Sequence, residues 1–158
     1  MVLLDRNRLY RILKRMAYQT IEKSKGENLD MIGLNERGYA VAEVMKKYIT
    51  DDSSCSVNLT RLSIAGQEPV DSAFRTNPKL VIVDDVIFSG RTMYKALSQI
   101  PELLSYEDVF VTSVIDRGHR KLPVEAGIVG VTVPTKRNEH VDFQLKAMKP
   151  EQILLIKK

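Results

Sequence analysis

The 158-residue sequence holds one cysteine, Cys55, no tryptophan and two histidines. A lone thiol cannot close an intrachain disulfide, and no Cys/His pair stands at zinc spacing, so a disulfide scaffold and a zinc ribbon are excluded. A reducing, cytoplasmic setting is the expectation. No stretch approaches the roughly 18–20 consecutive apolar residues of a membrane span. The opening Met-Val-Leu-Leu-Asp-Arg reaches charge too soon for the apolar core of a signal peptide, so no membrane partner is expected. Internal repeats, low-complexity tracts and long linkers are missing as well, which points to one domain over residues 1–158. What is present, 44% hydrophobic and 28% charged residues, suffices for a packed core.

The net charge of +4 is unevenly spread. Residues 1–26 carry seven Lys/Arg against two Asp/Glu, residues 27–116 eight against fourteen, and residues 117–158 nine against four. Two basic ends thus flank an acidic middle. Such asymmetry marks either an anionic partner or an ordinary solvated surface.

Helical spacing of Leu9, Ile12, Leu13, Met16, Ala17, Thr20 and Ile21 predicts a first helix over 6–25, with Asp5 as N-cap and Gly26 as C-cap. Residues 31–34 read as a buried strand, 38–50 as a second helix and 56–62 as a strand polar on one side. Gly66, Pro69 and Pro78 make 63–79 a loop or short hairpin. The β-branched run 80–83 is a strand buried on both faces, and a helix over 91–100 follows. Further strands are expected at 109–115, 127–133, 141–145 and 153–156. This alternation predicts the α/β class, with an open, mostly parallel central sheet flanked by helices.

Chemistry concentrates in residues 81–92, Val-Ile-Val-Asp-Asp-Val-Ile-Phe-Ser-Gly-Arg-Thr. A strand delivers Asp84 and Asp85 to its carboxyl end, and a turn with Ser89 and Gly90 opens a helix. Strand, turn and helix N-terminus make an anion cradle of backbone amides, with Ser89 and Thr92 as hydroxyl donors. Two carboxylates beside an anion repel it unless they serve a neutral polyol or a metal. Ribose hydroxyls next to a Mg²⁺-bound diphosphate supply both. Neither a P-loop nor a dinucleotide-binding glycine pattern is present.

This segment resembles the 5-phosphoribosyl-1-diphosphate (PRPP) motif of type I phosphoribosyltransferases. Within that superfamily the chain is similar to the PyrR family, pyrimidine-operon attenuators that are also uracil phosphoribosyltransferases. Residues 114–123, Val-Ile-Asp-Arg-Gly-His-Arg-Lys-Leu-Pro, resemble a stretch particular to that family. Pro134-Thr135-Lys136-Arg137-Asn138-Glu139 resembles its later Pro-Thr segment, and Gly33 to Gly38 occupies the place of its diphosphate loop.

The resemblance implies a type I phosphoribosyltransferase fold with a small loop or hood region, and conversion of uracil and PRPP to UMP and diphosphate. Asp84 and Asp85 would hold the ribose hydroxyls, and Phe88, Ser89, Gly90, Arg91 and Thr92 the rest of the PRPP site. Asn35, Glu36, Arg37 and Gly38 would form the diphosphate loop, with Arg37 joining the two aspartates as catalytic residues. Ile115, Asp116 and Arg117 would shape the base pocket. Mg²⁺ would be held mainly by PRPP oxygens and water, with no protein ligand set. Arg11, Arg15, His119, Arg120 and Thr135 would form a candidate RNA face, and a homodimer is implied. Arg61 and Arg75, flanking the 63–79 loop, are the candidates for a basic residue that closes over the site.

Three features depart from the family pattern. The 63–79 loop is short. Glu36 puts a negative charge where the family typically has Thr, beside an expected anion. Glu125 and Val131 stand where basic residues of the RNA face are typical, and His140 reads as an ordinary exposed residue.

Overall fold

A computed structural model describes residues 1–66 and 68–158. Five parallel strands form the main sheet: β2 (Leu29–Leu34), β3 (Val57–Leu62), β4 (Lys79–Ile87), β5 (Asp108–Asp116) and β6 (Ile128–Thr132), in the order β3-β2-β4-β5-β6. β1 (Val2–Leu4), β7 (Glu139–Lys146) and β8 (Lys149–Lys157) make a separate antiparallel sheet, ordered β1-β8-β7. This is the small accessory region that the resemblance implied. Among the described residues, no helix is long and apolar enough to cross a membrane.

Helix α1 (Arg6–Lys23) starts where expected, because the Asp5 carboxylate accepts from the Arg8 amide at 2.9 Å. It ends two residues early. Ser24 is its C-cap, and Lys25 and Gly26 turn the chain away at φ 56° and 73°. Its buried face, Leu9, Leu13, Met16, Ala17 and Thr20, packs with α2 (Asn35–Asp52) on one side of the main sheet. The other side is covered by α3 (Arg91–Ser98) and by Val70 and Phe74 of the β3–β4 connection.

α2 begins at Asn35 rather than at Gly38. Gly38 lies inside its first turn, where a Cβ would stand 2.7 Å from the Val83 carbonyl oxygen. Glycine is needed there for close approach to β4, not to start the helix. β4 runs to Ile87, well past the expected 80–83, so both aspartates lie within the strand, Asp84 in register with Ser113 of β5. β7 and β8 are longer than expected and form one hairpin. Its two-residue turn, Ala147–Met148, has φ of 50° and 63°.

Chain order reverses between β2 and β4: β2 leads outward to β3, and the next strand returns to the opposite side of β2. In an open parallel sheet the crevice outside the carboxyl ends at such a point is the natural ligand site.

Among the described residues, the β3–β4 connection crosses β2 with no helix but a short 3-10 turn, Ser72–Phe74. Gln67 of the expected 63–79 loop lies outside the described residues. Beyond it the connection is fastened. The Val70 amide donates to the Gln99 carbonyl at 3.0 Å, and the Asn58 amide group donates to the Phe74 carbonyl at 2.8 Å and to Thr76 Oγ1 at 2.7 Å. Fully buried Asp30 accepts from the Thr76 amide, the Asn77 amide and the Tyr106 hydroxyl. Arg75 donates to the Ser105 carbonyl at 2.6 Å and stacks 5.0 Å from the Tyr106 ring centre, beside the start of β5. That is the amino end of the sheet. Arg75 therefore cannot close over the crevice at the carboxyl end, and of the two expected cations Arg61 alone stands near it.

Candidate active site

Two cavities open at the switch point. The larger, about 880 Å³, is lined by Asn35, Glu36 and Arg37, by Arg61, Ile64 and Ala65, by Asp85, and by Thr92, Lys95 and Gln99. The smaller, about 180 Å³, lies inside the β4–α3 turn and is lined by Asp84 and by Val86 through Met93. The expected diphosphate loop and anion cradle are thus brought together around one crevice. The adjacent aspartates serve different parts of it: Asp85 faces the large cavity, and Asp84 the small one.

Asp84 is 4% exposed, and its Oδ1 accepts from the Asp85 amide at 2.9 Å. Burial, reinforced by the neighbouring Asp85 charge, pushes the Asp84 carboxyl well above the ordinary carboxylate range. The pair can therefore present an acid and a carboxylate side by side, which matches a diol whose hydroxyls both donate and accept. Gly90, at φ 87°, caps α3 and lets the turn reverse into the helix. Ser89 Oγ accepts from the Arg91 amide at 3.3 Å, and the Ser89 carbonyl accepts from Lys121 at 2.8 Å. The cradle is therefore tied to the segment after β5.

On the β2–α2 side, Asn35 sits at φ 56°, and its side-chain oxygen accepts from the Ile64 amide at 3.0 Å. Arg37 Nε donates to the Phe143 carbonyl of β7 at 2.7 Å, which fixes the guanidinium between the two sheets. Glu36 is exposed and makes no ion pair among the described residues.

The segment after β5 is knitted to itself. Arg120 makes a two-pronged ion pair with Asp116 at 3.0 and 2.8 Å, and also donates to the Val124 and Phe88 carbonyls. Arg117, 8% exposed, donates to Thr135 Oγ1 at 2.9 Å and to the Glu139 carbonyl at 2.7 Å. Its guanidinium carbon lies 4.1 Å from the Phe88 ring centre. Burial lowers its pKa, while the Glu139 charge works the other way. His119, at φ 59°, meets the Thr135 carbonyl through Nε2 at 2.6 Å and the Phe88 ring edge-on at 5.4 Å between centres. That nitrogen carries the proton, since a carbonyl only accepts. Of the expected base-binding residues, Asp116 and Arg117 join this cluster. The Ile115 side chain is fully buried in the core instead.

The five residues of the candidate RNA face are placed apart. Arg11 and Arg15 lie on α1, where Arg15 donates to the Gly130 carbonyl of β6. Thr135 is 4% exposed, and Arg120 is spent on Asp116 and the two carbonyls. Arg11 alone among the five makes no side-chain hydrogen bond or ion pair among the described residues. Glu125 and His140 are exposed, and Val131 packs on the core.

Sequence reasoning missed Lys95 and Gln99. Their spacing after Thr92, three residues and then four, is the signal that places all three on one helix stripe.

With this geometry in view, the likenesses to known proteins fall into place. A phosphoribosyl transferase domain matches residues 2–147. Bifunctional protein PyrR of Pelotomaculum thermopropionicum is 34% identical over 98% of this chain and 93% of its own length. The protein of the same name from Clostridioides difficile is 33% identical over 98% and 96%. Among solved structures, the hypoxanthine phosphoribosyltransferase of Trypanosoma cruzi superposes with TM-score 0.70 over 99% of this chain and 96% of that one, at 15% identity. A hypoxanthine-guanine phosphoribosyltransferase of Bacillus anthracis gives 0.68 over 89% and 84%, at 19% identity. These two support the fold alone. The motif and its relatives together make the chain a member of the PyrR family of phosphoribosyltransferases.

Proposed function

We propose that the chain transfers the phosphoribosyl group of PRPP to uracil, giving UMP and diphosphate. The observation that carries this reading is the position of Asp84 and Asp85. They stand at the carboxyl end of β4, between an anion-binding helix start and a cavity edged by cations. The 5′-phosphate belongs on the amides and hydroxyls of Ser89–Thr92, and the ribose on the two aspartates. The diphosphate belongs against Arg37 and its neighbours. Uracil as acceptor follows from the family likeness of residues 114–123 and from the polar cluster they build beside Phe88.

The reaction breaks the bond from ribose C1 to the diphosphate and forms one to the base nitrogen. Positive charge develops on the sugar, and negative charge on the leaving group. No side chain need act as nucleophile. Catalysis is positioning plus stabilisation of the departing diphosphate, in which Arg37 holds a fixed cation at the cavity edge. Asp84, whose carboxyl burial pushes above the ordinary carboxylate range, and Asp85 each hydrogen-bond one ribose hydroxyl.

Mg²⁺ fits this donor set as a guest of the substrate. Among the described residues no cluster of three acidic, His or Cys groups is built to hold a metal. Asp85 offers one carboxylate to the cavity where a diphosphate would lie, as suits an ion bound mainly by phosphate oxygens and water. When bound it neutralises leaving-group charge.

A second reading is favoured by Glu36, whose charge at the diphosphate loop weakens catalysis: a UMP- and PRPP-sensing RNA attenuator with little or no turnover. The commitments of Arg120, Arg15 and Thr135 oppose it, because phosphate contacts supply most RNA affinity. A homodimer completes the proposal.

The test is UMP formation from labelled uracil, PRPP and Mg²⁺ by the wild type beside Asp85→Ala. Turnover by the wild type and a loss of at least about 100-fold in the variant are expected. Absence of turnover, with UMP-dependent and sequence-selective RNA binding, overturns the enzyme in favour of the attenuator.

A further inference from the structure

Thr92, Lys95 and Gln99 line the large cavity together with Arg37 and Arg61. We propose that Lys95, steadied by Gln99 and faced by Arg61, binds the departing diphosphate. The proposal rests on the transferase reading and assigns to α3 a task that the β3–β4 connection cannot perform.

That connection lacks the means. From Leu62 to Phe74 its charged residues are Glu68 and Asp71, both negative. Its one later cation, Arg75, is bound to Ser105 and Tyr106 at the far end of the sheet. From Val70 onward the backbone is fastened to Gln99, Asn58 and Asp30, and Ile64 is fastened to Asn35. With Glu68 and Asp71 as its charged residues from Leu62 to Phe74, that stretch has no cation to bring to a diphosphate.

Two cations already at the cavity can. Arg61 and Lys95 are exposed there and make no side-chain hydrogen bond or ion pair among the described residues. Arg37 has given its Nε to Phe143. Gln99 adds an independent sign. Its Oε1 is buried with no hydrogen-bond partner, which is costly unless a donor arrives. Lys95 stands one helical turn before it, within side-chain reach, and an ammonium has three donors. One can satisfy Gln99 while the others meet phosphate oxygens. Lys95 is then a diphosphate-binding residue, and Gln99 a positioning residue that aims it. Net charge at the cavity agrees: Arg37, Arg61 and Lys95 outnumber Glu36 and Asp85, and a charge-assisted contact in this partly enclosed crevice is worth more than in open water.

The test is calorimetric titration, with Mg²⁺ present, of PRPP, inorganic diphosphate and UMP into wild type, Lys95→Ala, Lys95→Arg and Gln99→Leu. UMP carries the 5′-phosphate, ribose and base but no diphosphate. Lys95→Ala should weaken PRPP and diphosphate about tenfold and leave UMP within about twofold. Lys95→Arg should recover most of the loss. Gln99→Leu should weaken diphosphate by about threefold without lowering the unfolding temperature, since it removes an unpaired buried oxygen. Unchanged diphosphate and PRPP affinity in Lys95→Ala, or an equal loss for UMP, overturns the assignment of Lys95 alone. A wild type that binds neither PRPP nor UMP overturns the transferase reading and this proposal together.

Discussion

At the proposed diphosphate end of the crevice, Arg61 and Lys95 face a cavity of about 880 Å³ without partners among the described residues. At the base end, Arg117, Arg120 and Asp116 spend their polar groups on one another, on Thr135 and on nearby carbonyls. Uncommitted charge can bind a substrate on arrival. Charge already paired acts by shape, holding Phe88 and the backbone after β5 in place. On the proposed function, affinity would be stored at one end and selectivity at the other, and electrostatic changes should have different consequences at each.

The sharpest way to break that contrast is Arg120→Ala. It strands the part-buried Asp116 carboxylate and unties the 117–124 segment. KM for uracil should rise at least about tenfold, with a stability loss of about 1–3 kcal/mol, while PRPP affinity stays within about twofold. Steady-state kinetics beside PRPP calorimetry reads both. A parallel loss of PRPP binding would mean that the two ends are one unit.

Asp84→Asn probes the strain between them. A carboxyl whose pKa is raised on folding binds protons more tightly in the native state. Its unfavourable contribution therefore grows as pH rises from the unfolded carboxylate pKa toward the raised one. The variant should melt about 2–4 °C above wild type near neutral pH, with the gap closing toward pH 4, while PRPP binding falls. Calorimetric scans across pH decide it; a gap that widens on acidification would contradict the raised pKa.

The smallest effect is expected far from both ends. Met148→Gly relieves one left-handed residue of the β7–β8 turn and should stabilise by about 0.5–1 kcal/mol with kcat and KM unchanged. Denaturant unfolding with an activity control measures this. A change in KM would show that the small sheet communicates with the crevice through Phe143 and Arg37.

The main sheet was readable because parallel strands buried on both faces appear as unbroken apolar runs, such as residues 80–83. The β4–α3 turn of the expected anion cradle was readable because its small residues are local in sequence. What escaped depended on distant partners. β1 has three residues and pairs with β8 across the whole length of the chain. The β7–β8 hairpin turns on Ala-Met, which carries none of the Asn-Gly chemistry that advertises such a turn. Gly38 reads as a helix boundary, yet it answers a carbonyl on β4. Arg75, one of the two candidate closing cations, looks equivalent to Arg61 along the chain but lies at the opposite end of the sheet. Of the candidate RNA-face residues, Arg15 and Arg120 look like free charges until their hydrogen bonds are traced.

The fastened β3–β4 crossover has a consequence for the economy of turnover. On the proposed function, a crevice that the described part of this crossover does not close would admit donor and release diphosphate at rates set by diffusion and local charge rather than by the opening of a gate. It also stays wet. On the proposed function, water would compete with the base for the sugar carbon whenever PRPP waits alone, diverting part of the donor to ribose 5-phosphate and diphosphate. The same crossover would then make the yield of the proposed transfer, rather than its speed, depend on how promptly the base arrives.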